Sequence, residues 1–526
     1  MLAGQPTTSY DEIPYSDNCF PYTHPDYLAT FQALYGIKPS SLENCRVLEL
    51  GAARGGNLIP MALELPHAWF VGIDLSARQI AAGQATVEQL GLRNIDLRAM
   101  SITDLDERAE TFDYIVCHGV YSWVPEPVRR RILEICQGSL APDGVAYISY
   151  NTFPGWHARG MVRQLMAFHL RDTHAAGERI EKAREFLDRV VRVIPNQAGS
   201  YARILRFEGE FLRQAANTYL YHEHLEETNH PMYYHEFIGE AHRHGLRFLA
   251  EARTPGLALG LPPEALEALN EWADDEDARE QYLDILTNRT FRRTILCHSS
   301  APRASVPSHH AISWMSISTA VVPTSANPDI VSDAPEEFRR PDGGGTVTTN
   351  NPLIKTALTI LSRAFPRALS FESLSTAIRE TLGDSGGDMR DDHADAEMLS
   401  QSLLRSFLAD LVELHVRPPR FAAKAVECPL ASPLARLQSA EGERVTNLRR
   451  RTCFLDEFDR VVIKQLDGTR DRAEVLAAIR RSIDAGDFTI YDGERPIDDP
   501  AVIDAILAEQ LEPRLQKLAG LALLVD

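Results

Sequence analysis

Between Cys45 and Tyr150 the chain alternates short apolar runs with stretches whose apolar residues recur at helical spacing. The runs RVLEL (46–50), WFVGIDL (69–75), IDLRAM (95–100), FDYIVCHGV (112–120) and GVAYISY (144–150) have the length and side-chain character of buried strands. The stretch SARQIAAGQATVEQLG after the second run has helical spacing and ends on Gly91, which suits a helix stop. This rhythm predicts βαβ units and a parallel sheet covered on both faces.

After Tyr150 the texture changes. Residues 157–221 read as nearly continuous helix and 231–245 as another, with LRFLAEA (246–252) and RRTILCHS (292–299) as two more strands. Residues 157–228 and 254–290 are then helical insertions within a unit spanning 1–300, placed over a substrate mouth or at a dimer contact. A Ser-, Pro-, Thr- and Gly-rich linker with strands follows (301–350), with a hairpin expected at PDGGGT (341–346). Residues 351–418 return to helical patterning, with Leu403, Leu404, Phe407, Leu408, Leu411 and Leu414 on one broad face. They read as a winged-helix-like α+β module, and 419–526 as a C-terminal module.

Composition narrows the class. At 526 residues the chain should divide into roughly two to four units. A formal net charge of −20 argues against nucleic acid as a partner and would suit a basic, lysine-bearing target. No apolar run is long enough to insert in a membrane, and the first residues lack the basic start and apolar core of a secretory signal, so a cytoplasmic protein is expected. The 7 cysteines are scattered without a CxxC pair, as reduced thiols would be.

The first strand runs into Glu49-x-Gly51-x-Ala53-x-Gly55-Gly56. A tight strand-to-helix turn needs glycine where φ is positive or where backbone approaches a ligand, and nucleotide-like cofactors use such turns. The dinucleotide pattern places glycine where Ala53 stands, and Glu49 is placed to meet an α-amino group, which together favour S-adenosylmethionine. Asp74, ending the second strand about twenty residues further on, can accept both ribose hydroxyls. Asn57, Leu75 and Gln79 join these as expected cofactor contacts. Ser101 and Ile102 follow the third strand at the adenine end. The fourth strand ends in His118-Gly119-Val120-Tyr121-Ser122-Trp123, where His118, Gly119 and Trp123 should face the sulfonium and an aromatic ring could attract the cation.

These motifs resemble a family when taken in order with Tyr10-Asp11-Glu12, Pro14-Tyr15, Phe20 and Thr23-His24-Pro25. VLELGAARGGNLIPMA, FVGIDLSARQI, CHGVYSWVP, YNTFPGWH and HEHLEETNHPMYYHEF are similar to bacterial methyltransferases that carry a methyltransferase regulatory domain. That family includes the rickettsial-type protein lysine methyltransferases, which act on outer-membrane protein B. The resemblance implies a class I methyltransferase, Rossmann-like α/β sheet ending in an inserted antiparallel strand, a dimerising helical insertion giving a homodimer, and winged-helix-like C-terminal modules. Residues 454–479 are also similar to small peptide-binding modules, which would suit a protein or peptide substrate.

If lysine is the acceptor, its ammonium must lose a proton, costing about 4–5 kcal/mol at pH 7 from a pKa of ~10.4. An aromatic mouth lowers that cost by desolvation, and an oxygen can orient the free amine. Tyr10, Tyr15, Tyr121, Tyr150, Asn151 and Trp156 are candidates for that mouth, and His222 with Glu223 for a lid over the substrate. No metal is expected, because His222, His224, His230 and His235 lack a recognised ligand spacing. The residues leave three other readings open: a small-molecule or peptide natural-product methyltransferase, a non-catalytic S-adenosylmethionine-binding regulator, and a nicotinamide oxidoreductase. Arg129–Arg131 and Arg449–Arg451 are expected on solvated faces.

Overall fold

Seven of the apolar runs assemble into one sheet in the computed structural model, which describes residues 13, 18–253, 257–383, 392–493 and 495–526. The strands are β1 (Arg46–Leu50), β2 (Trp69–Asp74), β3 (Ile95–Ala99), β4 (Phe112–Cys117), β5 (Leu140–Asn151), β6 (Leu246–Glu251) and β7 (Phe291–His298). Their order is β3-β2-β1-β4-β5-β7-β6. β1 to β5 run parallel, and β7 lies antiparallel between β5 and β6. This is the parallel α/β sheet that the alternation predicts, ending in the inserted antiparallel strand of the class I methyltransferase sheet that the resemblance implies. The chain reverses direction across the sheet between β1 and β4, and that switch opens a crevice beyond their carboxyl ends.

Burial on both faces explains the runs of apolar residues. Leu48, Leu50, Ile115, Ile148 and Leu296 feed one core; Val47, Phe70, Tyr114, Val116 and Tyr147 feed the other. The second core continues into the middle of the chain through Ile312, Ile317, Leu358, Leu403 and Leu414. The helix α1 (Pro25–Leu34) is buried along nearly its whole length between these parts.

The 157–221 stretch, expected as nearly continuous helix, is broken into α2 (Trp156–His169), α3 (Ala176–Val193) and α4 (Ser200–Gln214). A single π-helical turn, Tyr221–Leu225, then brings the chain back to the sheet. The glycine-rich hairpin forms between Glu336–Arg339 and Thr346–Thr349. Helices Pro352–Ala364, Phe371–Gly383 and Asp392–Leu408 accompany a small sheet that contains Glu413–His415. From Pro433 on, four helices and two short hairpins among the described residues enclose their own core. No helix among the described residues is long and apolar enough to cross a membrane.

Candidate functional site

The glycine turn leaves β1 with positive φ at Gly51 (82°), Ala53 (49°) and Gly55 (76°). Only small residues keep such a turn close to its neighbours. A Cβ at Gly51 would lie 2.4 Å from Val120 Cγ2, so the loop after β4 closes directly on the loop after β1. The Gly51 and Ala52 amides both donate to the Ile73 carbonyl at 2.9 Å. The Ala53 amide donates to Asp74 Oδ2, and the Ser76 amide to Asp74 Oδ1, each at 2.9 Å. Asp74 is thereby fixed against the turn, with exposed Leu75 beside it.

Glu49 is buried under this turn. Asn57 Nδ2 donates to Glu49 Oε1 at 2.8 Å, whereas buried Oε2 has no partner among the described residues. Burial, opposed by the Asn57 hydrogen bond and reinforced by the charge of Asp74, pushes the Glu49 carboxyl up to about 7. A buried carboxylate oxygen without a donor, at the switch point of the sheet, suits an ammonium group. Gln79, also buried, is likewise left with an unpaired Oε1.

A segment that precedes the sheet closes the turn from outside. The Phe20 amide donates to Asn57 Oδ1 at 2.9 Å, and Asn57 Nδ2 donates to Thr23 Oγ1 at 2.9 Å. Phe20 also packs on His118, with ring centroids 3.8 Å apart. His118 shares a 2.9 Å hydrogen bond with the Tyr147 hydroxyl, and burial with nearby Arg293 lowers its pKa to about 3, so the ring is neutral. The adjoining Gly119 amide donates to Ser149 Oγ at 2.8 Å. Ser101 caps a short 3-10 turn that holds Ile102, and both are half-buried at the end of β3.

Beside this crevice the loops after β4 and β5 are tied together. The Asn151 amide donates to Ser122 Oγ at 2.9 Å, and its Nδ2 to Asn229 Oδ1 at 3.1 Å. Trp123 meets Trp156 edge to face, and Trp156 lies against His224. Tyr121 and Tyr150 do not join them. Both are buried against Phe237 in the core beneath, Tyr150 by the alternation of β5 and Tyr121 by the 3-10 turn that follows β4. His222 is committed elsewhere: Nε2–H donates to the Ile13 carbonyl at 2.7 Å, and Nδ1 faces Glu226 at 3.0 Å. Burial, offset by Arg159, His222 and Arg163, raises the Glu223 carboxyl to about 7. Tyr10 and Tyr15 lie outside the described residues. Among the described residues no group of three His, Cys, Asp or Glu side chains could hold a metal ion.

Several contributors did not stand out in the sequence reading of the site. Phe20 and Thr23 were visible only as part of a leading motif, with no sign that they meet Asn57. Asn229 and Arg163 carried no spacing signal at all. Arg449 and Arg450, expected with Arg451 on a solvated face, are instead buried in inter-unit contacts, while Arg451 stays exposed. Arg450 pairs with Glu64 at 2.9 Å, and Arg449 and Arg451 pair with Glu413 at 2.5 and 2.6 Å.

The sheet order, the turn and the acid at the end of β2 define the class: an enzyme that binds S-adenosylmethionine and transfers its methyl group. Comparison with known proteins agrees along the chain. Residues 47–144 match the model of a methyltransferase domain, 216–298 that of the "Predicted methyltransferase regulatory domain", and 427–523 that of the "PKMT, C-terminal winged helix domain". The winged-helix match thus falls on the C-terminal unit. An uncharacterized protein of Rickettsia prowazekii is 32% identical over 98% of this chain and 93% of its own. A second from that organism is 39% identical over 46% of this chain and 96% of its own. The structure of PKMT2 from Rickettsia typhi in complex with AdoHcy superposes with a TM-score of 0.85 at 29% identity, covering 98% of this chain and 100% of that one. The chain belongs to the bacterial methyltransferases that carry a methyltransferase regulatory domain, and its cofactor is S-adenosylmethionine.

Proposed function

We propose that this enzyme methylates lysine side chains of protein. The observation that carries the reading is the end-to-end likeness to PKMT2, which includes the C-terminal units as well as the sheet. The mouth supports it. Trp123 meets Trp156, which lies against His224, and the neighbouring Glu223 has a raised pKa that suits it to receive the proton of an ammonium near neutral pH. Asn151 stands at the end of β5, where its amide can orient the freed amine. Glu49, Gly51, Ala53, Gly55, Asn57, Asp74, Leu75 and Gln79 form the binding site for the methionyl and ribose parts. Ser101 and Ile102 lie at the adenine end, and His118, Gly119 and Trp123 at the sulfonium. Bound S-adenosylmethionine supplies a methyl carbon activated by positive sulfur; the protein aligns the acceptor and excludes water.

Within this reading the helical insertion is a homodimer contact, supported by Phe168, Val193 and Phe207, which are 70%, 69% and 74% exposed. A cytoplasmic location accords with seven free cysteines. Incubation with labelled S-adenosylmethionine and a bacterial lysate tests the central claim. Label recovered as methyl-lysine after protein hydrolysis is expected; label confined to small molecules would overturn it. Light scattering should give twice the chain mass.

A further inference from the structure

Around the turn Tyr221–Leu225, buried polar atoms have no partner among the described residues: Trp156 Nε1, both ring nitrogens of His224, Asn229 Nδ2 and Arg163 Nη1. They belong to one neighbourhood. Trp156 and Arg163 are seven residues apart on α2 and so share a helix face. The Trp156 ring lies 6.2 Å from that of His224. Asn229 is held by Asn151, and Arg163 Nη2 donates to the main-chain carbonyls of Glu226 and Glu227. Three of these atoms can only donate, and a neutral imidazole adds one donor and one acceptor. Burial, together with Arg159 and Arg163, keeps His224 neutral. The cluster therefore lacks acceptors.

Its charge points the same way. Arg163 forms no ion pair among the described residues and spends its hydrogen bonds on main-chain carbonyls. Arg129, Arg159 and Arg179 lie close enough to act on His230, His224 and Arg163. Glu208 stands 3.9 Å from Arg159, too far to hydrogen-bond. Glu223 and Glu226 are the other acids near Arg163. On a chain of net charge −20, this is a buried cluster of unspent donors with guanidinium groups around it.

We propose that Trp156, Arg163, His224 and Asn229 form a carboxylate subsite beside the acceptor amine, so that the enzyme favours lysines with an acidic neighbour. The proposal rests on the lysine reading above. A carboxylate oxygen accepts from Trp156 Nε1, Asn229 Nδ2 and Arg163 Nη1, while Glu223 faces the ammonium.

The full chain is assayed with labelled S-adenosylmethionine and three peptides: one with Glu beside Lys, one with Gln in its place, and one ending in Lys with a free α-carboxylate. The Glu peptide should exceed the Gln peptide by about ten-fold in kcat/KM, as expected for charge-assisted hydrogen bonds. Trp156→Phe and Arg163→Gln should collapse that ratio, with Arg163→Lys keeping part of it. Equal rates for Glu and Gln peptides would overturn the proposal, and a preference for the C-terminal lysine peptide alone would reassign the carboxylate. A second measurement needs no turnover. With S-adenosylhomocysteine bound, the Trp156 indole N–H resonance, assigned by its loss in Trp156→Phe, is followed during titration with N-acetylglutamate amide and N-acetylglutamine amide. A shift with glutamate only, while no peptide is methylated, would keep the subsite and overturn the lysine reading. No shift with either would overturn the subsite.

Discussion

Asp26 and His415, 389 positions apart, share a 2.8 Å hydrogen bond between Oδ2 and Nδ1. Asp26 is the second residue of α1, three residues after Thr23 of the segment that closes the glycine turn, and His415 ends a strand of the middle unit. Glu413 lies 3.7 Å from the other side of the ring, with Arg449 and Arg451 against Glu413 and Arg450 3.8 Å from Asp26.

That pair makes docking of the two units pH-dependent. Burial lowers the His415 pKa, but Asp26 and Glu413 outweigh it and raise it to about 9. A histidine with a raised folded pKa contributes stability that is complete below its unfolded value of ~6.5 and lost as pH rises through the folded one. Thermal melts should therefore weaken between about pH 6.5 and 9, and His415→Gln should flatten that slope. An unchanged slope in the variant would count against the assignment.

Arg450 and Glu64 form a second tie between chain-distant parts, both shielded from solvent. Burial pushes the Glu64 carboxyl up, but Arg450 and His24 outweigh it and hold it below the usual carboxylate range. Removing one partner leaves a buried charge, so Arg450→Met should cost about 3–5 kcal/mol in denaturant unfolding. Glu64→Gln in the same chain should recover much of that loss, and strictly additive losses would show that the two do not interact.

Glu49 predicts how cofactor affinity varies with pH. Its carboxyl sits at about 7 in the free site, and the ammonium it would meet favours the ionised form. Binding of S-adenosylhomocysteine, measured by calorimetry, should strengthen as pH rises from about 6 toward 7.5, below the α-amino pKa of ~7.7–8.0. Glu49→Gln should bind at least ten-fold more weakly, since a charge-assisted contact is lost, and should lose that trend.

Gly51 gives a steric test. Alanine there meets Val120 Cγ2 and a backbone φ of 82° that disfavours a side chain. Gly51→Ala should lower cofactor affinity by an order of magnitude or more, taking the left-handed penalty of ~1–2 kcal/mol as the minimum. Val120→Ala in the same chain should restore part of it by relieving the contact. No restoration would mean that backbone strain alone sets the loss.

The sheet was legible because both of its faces are buried, which turns each strand into an apolar run that stands out from the helical spacing around it. Ala53 was legible as a departure from the dinucleotide pattern, but not as a left-handed residue whose amide holds Asp74. Tyr121 and Tyr150 looked like mouth residues because they follow or end strands; the alternation of β5 sends Tyr150, and a 3-10 turn sends Tyr121, into the core with Phe237. The partners of Arg449–Arg451 were invisible to any local pattern, since Glu64 lies 386 positions from Arg450. The π-helical turn was hidden too, because its one-turn geometry leaves no period to read.

Arg444 donates to Asn18, two residues before the Phe20 amide that holds Asn57, and Arg450 reaches Glu64 in the helix that follows the glycine turn. On the ribosome, then, the cofactor half emerges with its clasp closed on Asn57 but not yet braced, and residues made some four hundred positions later brace it. A chain interrupted between residues 298 and 444 should carry a finished sheet and an unbraced binding site. Synthesis itself would withhold the bracing of the cofactor site until the last unit has been made.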